Sequence, residues 1–265
     1  SVEITVDNIN QKATLDFSNT SPQGEGNFQA PLSITKSAVL YVFRCLLEDD
    51  IPLNAGCFKP LEIIVPKGCL LNPISPSAVV AGNVETSQAL CNLLLGAFGI
   101  MSASQGTMNN LTFGDNEKQY YETVAGGSGA GNGFNGADGI QTHMTNSRLT
   151  DPEILEQRYP VRLELFSIRK GTGGKGRWNG GNGLLRKFRF LAPMTVSILS
   201  GSRRIAPFGL KGGKPGAIGV NQLELTNGQR EPLQGCDSIE VTEGEAVIIA
   251  TPGGGGYGSP VKSRT

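Results

Sequence analysis

A single histidine, a single tryptophan and no apolar run near the roughly 18 residues of a membrane span are the scarcities of this 265-residue chain. Each excludes something. With His143 alone, and with Cys45, Cys57, Cys69, Cys91 and Cys236 spaced without a CxxC pair, no zinc-finger ligand set can be assembled. Reduced thiols in the cytoplasm are the expectation, with all five cysteines read as buried. The phosphate-cradling string GxxxxGKS/T is absent, and so is the GxSxG elbow of serine hydrolases. Formal net charge is zero, which gives no overall attraction to nucleic acid or to an anionic membrane, and neither partner is expected.

Glycine is what the chain has in excess. Its 37 glycines are about twice ordinary usage, yet they alternate with well-patterned apolar segments, so a folded, loop-rich protein of one large or two small domains is expected. Seven of them fall between Ala125 and Gly139, immediately before the run IQTHMTNSRLT that holds His143. Charge is uneven beneath its zero sum. Residues 1–157 carry 7 Lys/Arg against 16 Asp/Glu, residues 158–214 carry 13 against 1, and residues 215–265 carry 3 against 6. With no nucleic-acid motif beside the basic run, a contact between the two halves accounts for this best.

The patterning predicts an α+β protein in two parts: 1–157, with helices packed on a sheet, and 158–265, basic and strand-rich, forming a sandwich or partly open barrel. The chain begins without methionine inside an apparent hairpin, SVEITVD answered by ATLDFS, as a piece of a longer protein would. In residues 33–50, Ala38, Val39, Val42, Phe43, Leu46 and Leu47 share a helical face, with Ser33 or Thr35 as N-cap. Leu90, Leu93, Leu94, Ala97 and Phe98 mark a second helix, and residues 111–124 a second hairpin. Thr150 to Glu153 matches a capping box with Pro152 near the helix start, a structural role for Asp151 and Glu153. From Val161 the period becomes two: Val161, Leu163 and Leu165, then Phe188 and Phe190 between Lys187 and Arg189, then Met194, Val196 and Ile198. Further strands are expected at 220–226, 238–242 and 246–251.

GxGxxG occurs at Gly131–Gly136, Gly171–Gly176 and Gly253–Gly258, but none of the three joins a strand to a helix with an acid about twenty residues on, so all three read as by-products of composition. The chemistry-bearing cluster is around the histidine. Glu122, Asp138, His143, Thr145, Asn146 and Arg148 combine an imidazole near neutral pKa, carboxylates that could orient it, and a guanidinium suited to phosphate or carboxylate. In an extended THMTNSR segment, His143, Thr145 and Ser147 would share one face and Thr142, Met144, Asn146 and Arg148 the other.

The strings FSNTSPQGEGNFQAP, NPISPSAVVAGNVETSQ, THMTNSRLTDPEILEQRYPVRLE, GKGRWNGGNGLLRKFRFL and TPGGGGYGSP resemble, in order and spacing, the C-terminal half of the hydantoinase B/5-oxoprolinase family. Gln141 stands where that family often has a second histidine. The resemblance implies an ATP-dependent amidohydrolase acting on a small cyclic amide, and a homo-oligomer. It also implies a hydantoinase A-like partner module that holds ATP and Mg2+ and phosphorylates the lactam. His143 would then handle the attacking water, Asp138 or Glu122 would orient it, and Asn146, Arg148 and Thr145 would hold phosphate or substrate; a metal is left undetermined. Two alternatives accompany this: an assembly half without catalysis, and a subunit of a related acetone or acetophenone carboxylase.

Overall fold

The hairpin read at the start of the chain is β1 (Glu3–Asp7) and β2 (Lys12–Asp16), paired antiparallel. Between β2 and its parallel neighbour β3 (Leu61–Ile64) lies helix α1 (Leu32–Cys45), the kind of crossover a parallel pair requires. Helix α2 (Ser87–Ala97) follows a π-helical turn at Gly82–Thr86 and packs on α1. These elements form one compact unit, Ser1–Phe98. Its buried apolar residues include Leu15 and Phe17, Ala38, Val39 and Val42 of α1, and Leu90, Cys91 and Leu94 of α2.

The cap expected at Ser33 or Thr35 is not there. The helix begins one residue after Pro31, with no side chain capping it, and the Thr35 hydroxyl donates instead to Leu71 O at 2.9 Å. Leu46 and Leu47 lie past the helix end and are partly exposed, so the apolar face is one turn shorter than its periodicity suggests. The cysteines also depart from expectation, because Cys45 and Cys236 are exposed and Cys57 is half-buried.

The second unit runs from Gly99 onward and is described as far as residue 260 in this computed structural model. Its strands are β4 (Asn110–Gly114), β5 (Gln119–Thr123), β6 (Val161–Arg169), β7 (Gly183–Phe190), β8 (Met194–Leu199), β9 (Val220–Glu224), β10 (Arg230–Leu233), β11 (Cys236–Val241) and β12 (Ala246–Ala250). A short helix, α3 (Pro152–Arg158), precedes β6. Its cap is Asp151 rather than Thr150, with the Asp151 carboxylate accepting from Glu153 N at 3.0 Å.

Period-two strands need a second apolar layer to bury their inward residues. Here two open sheets supply it to each other: β10-β9-β12-β7-β6 and β11-β8-β4-β5. Phe113, Tyr120, Phe188, Phe190, Met194, Val196, Val247 and Ile249 come from both sheets into one core. The described chain is therefore α+β, with three α-helices and twelve strands in three sheets, none closed. The sandwich alternative holds, and it starts earlier in sequence than Val161, since β4 and β5 belong to it. Strand β10 went unread because REPL has neither alternation nor a buried residue.

One strand breaks its own pattern. A register shift between Leu163 and Leu165 in β6 turns the later residues over, so Leu165 is exposed on the outer face while Phe166 pairs with Arg186 and Ile168 with Leu184.

The glycine-rich stretches do not form loops around open space. Segments near residues 102–105, 126–131, 172–183, 207–217 and 251–258 lie side by side and exchange backbone hydrogen bonds, among them Gly174 N to Gly254 O (2.8 Å), Gly181 N to Ser128 O (2.9 Å), Gly254 N to Gly181 O (2.9 Å), Gly255 N to Ala103 O (2.8 Å) and Gly256 N to Lys214 O (2.9 Å). Backbones approach so closely that a Cβ on Gly129 would overlap Ser102 O, and one on Gly254 would overlap Ser128 O. Glycine serves here as it does at the axis of collagen, because nothing larger fits.

Candidate functional site

The sandwich leaves one flank where the edge strand β5 of one sheet faces β6 and β7 of the other. There, outward from the core, Glu122 of β5 and Arg186 of β7 meet. Both side chains are almost fully buried, and Glu122 Oε1 forms an ion pair with Arg186 Nη1. The Tyr120 hydroxyl donates to the other carboxylate oxygen, and the guanidinium also lies against the rings of Phe166 (5.0 Å) and Phe188 (4.6 Å). Burial lowers the Arg186 pKa to about 10.

A cleft of about 660 Å³ opens beside this pair. Ile140, Leu149, Phe166, Ile168 and Leu184 make its apolar wall, and Thr123, Gln141, Ser147 and Arg148 add polar groups. The polar side is internally tied. Thr123 and Ser147 share a hydroxyl hydrogen bond of 2.8 Å, and Gln141 Nε2 donates to Thr123 O at 2.9 Å and to Thr123 Oγ1 at 3.0 Å. Gln141 Oε1, Arg186 Nε and Arg186 Nη2 are buried with no hydrogen-bond partner among the described residues. Leaving such groups unmatched is costly in a folded protein.

Of the residues singled out in the sequence, Glu122 and Arg148 come together in this cleft. His143, Thr145 and Asn146 are not among its lining residues. The segment is not extended as expected: Thr145 N donates to Thr142 O at 3.1 Å, and His143 takes a left-handed φ of 52°. Ser147 and Arg148, assigned to opposite faces, line the same cleft. His143 is half-buried, and desolvation lowers its pKa to about 4. Asp138 sits apart and exposed, its carboxylate accepting from Asn182 N (2.6 Å) and Asn182 Nδ2 (3.1 and 3.2 Å). It ties the glycine tract to the start of β7.

Arg186 was missed in the sequence, although a signal existed. Counting back by two from Phe190 and Phe188 puts Arg186 on the inward parity of β7, and a cation at an inward strand position calls for a buried partner.

The GxGxxG strings do not fit a nucleotide. Gly131 N donates to Phe134 O, Gly136 N to Asn179 O, Gly176 N to Asn179 Oδ1 and Gly258 N to Leu210 O, so these amides are engaged within the protein and not aimed at a phosphate. Among the described residues, no three His, Cys, Asp or Glu side chains cluster as metal ligands, and no helix is long and apolar enough to cross a membrane.

Comparison with known proteins completes the picture. The family described as hydantoinase B/oxoprolinase matches residues 1–260. The chain is 49% identical over 260 residues to 5-oxoprolinase 1 of Arabidopsis thaliana, covering 98% of this chain and 20% of that protein. Among solved structures it resembles the ATP-dependent caprolactamase from Pseudomonas jessenii, with a TM-score of 0.84 at 22% identity over 97% of this chain and 48% of that one. It also resembles an acetone carboxylase in its nucleotide-free form, with a TM-score of 0.81 at 20% identity over 98% of this chain and 41% of that one. The chain thus spans about a fifth of the length of the 5-oxoprolinases it matches.

Proposed function

The chain belongs to the hydantoinase B/oxoprolinase family, and from that membership we propose that it is one module of an ATP-dependent cyclic-amide hydrolase that opens 5-oxoproline to glutamate. The observation that carries the reading is the cleft beside Glu122 and Arg186, a charged floor under an apolar wall, in a chain whose named relatives include 5-oxoprolinases.

An amide resists water because its nitrogen donates into the carbonyl. A phosphoryl group moved from ATP to the lactam oxygen, at a hydantoinase A-like module holding ATP and Mg2+, removes that protection. The present chain then holds the activated ring while water adds and the C–N bond breaks. The nitrogen takes the proton to become the amine, and the carbonyl carbon keeps the phosphate as an acyl phosphate, from which a second water releases glutamate and inorganic phosphate. Its apolar wall takes the ring methylenes, and Gln141, Thr123 and Ser147 take the polar edge. Arg148, exposed at the cleft, faces the phosphoryl oxygens, with Asn146 and Thr145 of the neighbouring turn at the approach.

His143 remains neutral at neutral pH, since its pKa is about 4. An imidazole of such low basicity suits orienting the water through a ring nitrogen better than removing its proton. The existing partners of Glu122 and Asp138 favour structural roles for both: Glu122 holds Arg186, and Asp138 holds Asn182.

The test is turnover by the chain assembled with its ATP-binding module, given ATP and, in turn, 5-oxoproline, hydantoin or acetophenone. Glutamate release matched by ADP is the expected result, and none is expected from the chain alone. Glutamate release by the chain alone, or ATP-dependent consumption of acetophenone with none of 5-oxoproline, overturns the reading.

A second reading, assembly without catalysis, draws on the outer face of the five-stranded sheet. A groove of about 260 Å³ there is lined by Arg169, Lys187 and Arg230 beside Leu165, Val220 and Ile248. It calls for salt-sensitive association with the A-type module and indifference of turnover to replacement of His143.

A further inference from the structure

We propose that Arg186 is the seat of an oxyanion carried by the ligand of the cleft, held in two-pronged fashion by Nε and Nη2. The inference rests on the reading of the cleft as a lactam site and adds to it the group that the floor recognises.

The geometry leads there in three steps. A guanidinium presents its donors in fixed pairs, and the edge formed by Nε and Nη2 is one that matches the two oxygens of a carboxylate or phosphate. Glu122 occupies the opposite corner, through Nη1, and the second oxygen of that carboxylate is taken by Tyr120. The pairing therefore anchors Arg186 and leaves its two-pronged edge unmatched, with both nitrogens shielded from water and without a partner among the described residues.

Nothing about folding the sandwich requires this. An inward position on β7 between Leu184 and Phe188 would be filled more cheaply by an apolar side chain, and a buried ion pair rarely improves stability over such a replacement. Arg186 lines the cleft, and Phe166, which covers the guanidinium, is partly exposed on the edge strand β6. The unmatched edge thus belongs to a side chain that lines the cleft, beside a ring on the rim of the sheet. An oxyanion in this setting gains two charge-assisted hydrogen bonds away from competing water.

Two sources supply the same chemistry: a carboxylate on the lactam itself, or the phosphoryl group of the activated lactam. L-5-oxoproline and 2-pyrrolidinone, the same ring without its carboxylate, separate them. The variants are Arg186→Lys, which keeps the charge opposite Glu122 and loses the paired donors, and Glu122→Gln, which keeps the shape and removes the competing charge. Binding of L-5-oxoproline, 2-pyrrolidinone and inorganic phosphate is measured by calorimetry on the assembled protein without ATP, and KM and kcat with ATP.

If the carboxylate is the anion, Arg186→Lys weakens L-5-oxoproline about 10- to 100-fold and raises its KM by a similar factor, while 2-pyrrolidinone is unaffected. If the phosphoryl group is, inorganic phosphate weakens instead, and kcat falls for both rings. In either case Glu122→Gln tightens the anion, a gain that misfolding cannot produce. The proposal is overturned if Arg186→Lys leaves all three probes unchanged or weakens both rings equally, or if Glu122→Gln fails to tighten any anion. Should the assembled protein hydrolyse neither ring while these binding effects persist, the hydrolase reading fails and the oxyanion seat stands.

Discussion

The glycine bundle and the cleft lie in the same unit of the chain and treat polar groups in opposite ways. In the bundle, amides and carbonyls from segments far apart in sequence satisfy one another, as Gly255 N does with Ala103 O at 2.8 Å, and side chains are excluded for want of space. In the cleft, side chains crowd together and some polar atoms, Gln141 Oε1 and two nitrogens of Arg186 among them, have no hydrogen-bond partner among the described residues. The difference teaches where a ligand is to be sought. Glycine abundance draws attention to the tract that precedes His143, yet that tract has committed its hydrogen bonds to structure. Two of the unmatched groups belong to Arg186 on strand β7, and the third belongs to Gln141, just beyond the last glycine of the tract.

Breaking the buried pair gives the largest expected effect. Arg186→Met strands the Glu122 carboxylate in the sandwich and is expected to cost about 3–5 kcal/mol, read from urea denaturation. Adding Glu122→Leu to it is expected to recover most of the loss. A double variant no more stable than Arg186→Met would show that the stranded carboxylate is not the cause of the loss.

On the bundle side, Gly254→Ala forces a methyl into Ser128 O and is expected to cost about 3 kcal/mol, the upper part of the range for overpacking. Gly133→Ala, in the tract before His143, sharpens the contrast. Nothing lies within 4 Å of a Cβ there, so only its φ of 93° resists, and about 1 kcal/mol is expected. Equal losses at the two positions would mean that close packing is not what glycine provides.

His143→Ala is expected to lower turnover of the assembled enzyme about 100-fold, the order of loss when a reacting group is misplaced. The same residue carries a pH signature. Its pKa falls from 6.5 to about 4 on folding, so the unfolded chain binds more protons between those values. Stability therefore declines as pH drops from about 6.5 to about 4 and gains nothing further from this group at higher pH. Denaturation midpoints at pH 7, 5 and 4 check this, and His143→Ala is expected to flatten the decline.

Much of the fold is legible in the sequence. Alternation of Phe188 with Lys187 and Arg189, or of Val196 with Thr195 and Ser197, is a local signal that survives folding because inward and outward positions on a strand are fixed by its pleat. The helices read well in their middles and poorly at their ends. Leu46 and Leu47 continue the period past the point where α1 stops, and the caps shift by a residue or vanish. Strand β6 misleads in its second half, because a bulge resets the parity that Leu165 had been assigned.

The candidate site was legible only in part. Glu122 and Arg148 were found as residue types near the histidine, and the cleft does hold both. The turn at Thr142–Thr145 was not foreseen, since His143 adopts a left-handed conformation that few side chains favour. Arg186 was passed over because a cation in RKFRF reads as one more charge in a basic strand.

By itself, then, the sequence determined the α+β class, most of the strands, the three α-helices and the family, all of which rest on spacing along the chain. Tertiary structure alone decided two things. It brought Glu122 and Arg186, 64 residues apart in sequence, face to face across two sheets. It also turned the glycine tract from an apparent loop into packed backbone, by laying against it segments from residues 102–105, 172–183 and 251–258. Both outcomes depend on which surfaces meet, and no local period encodes that.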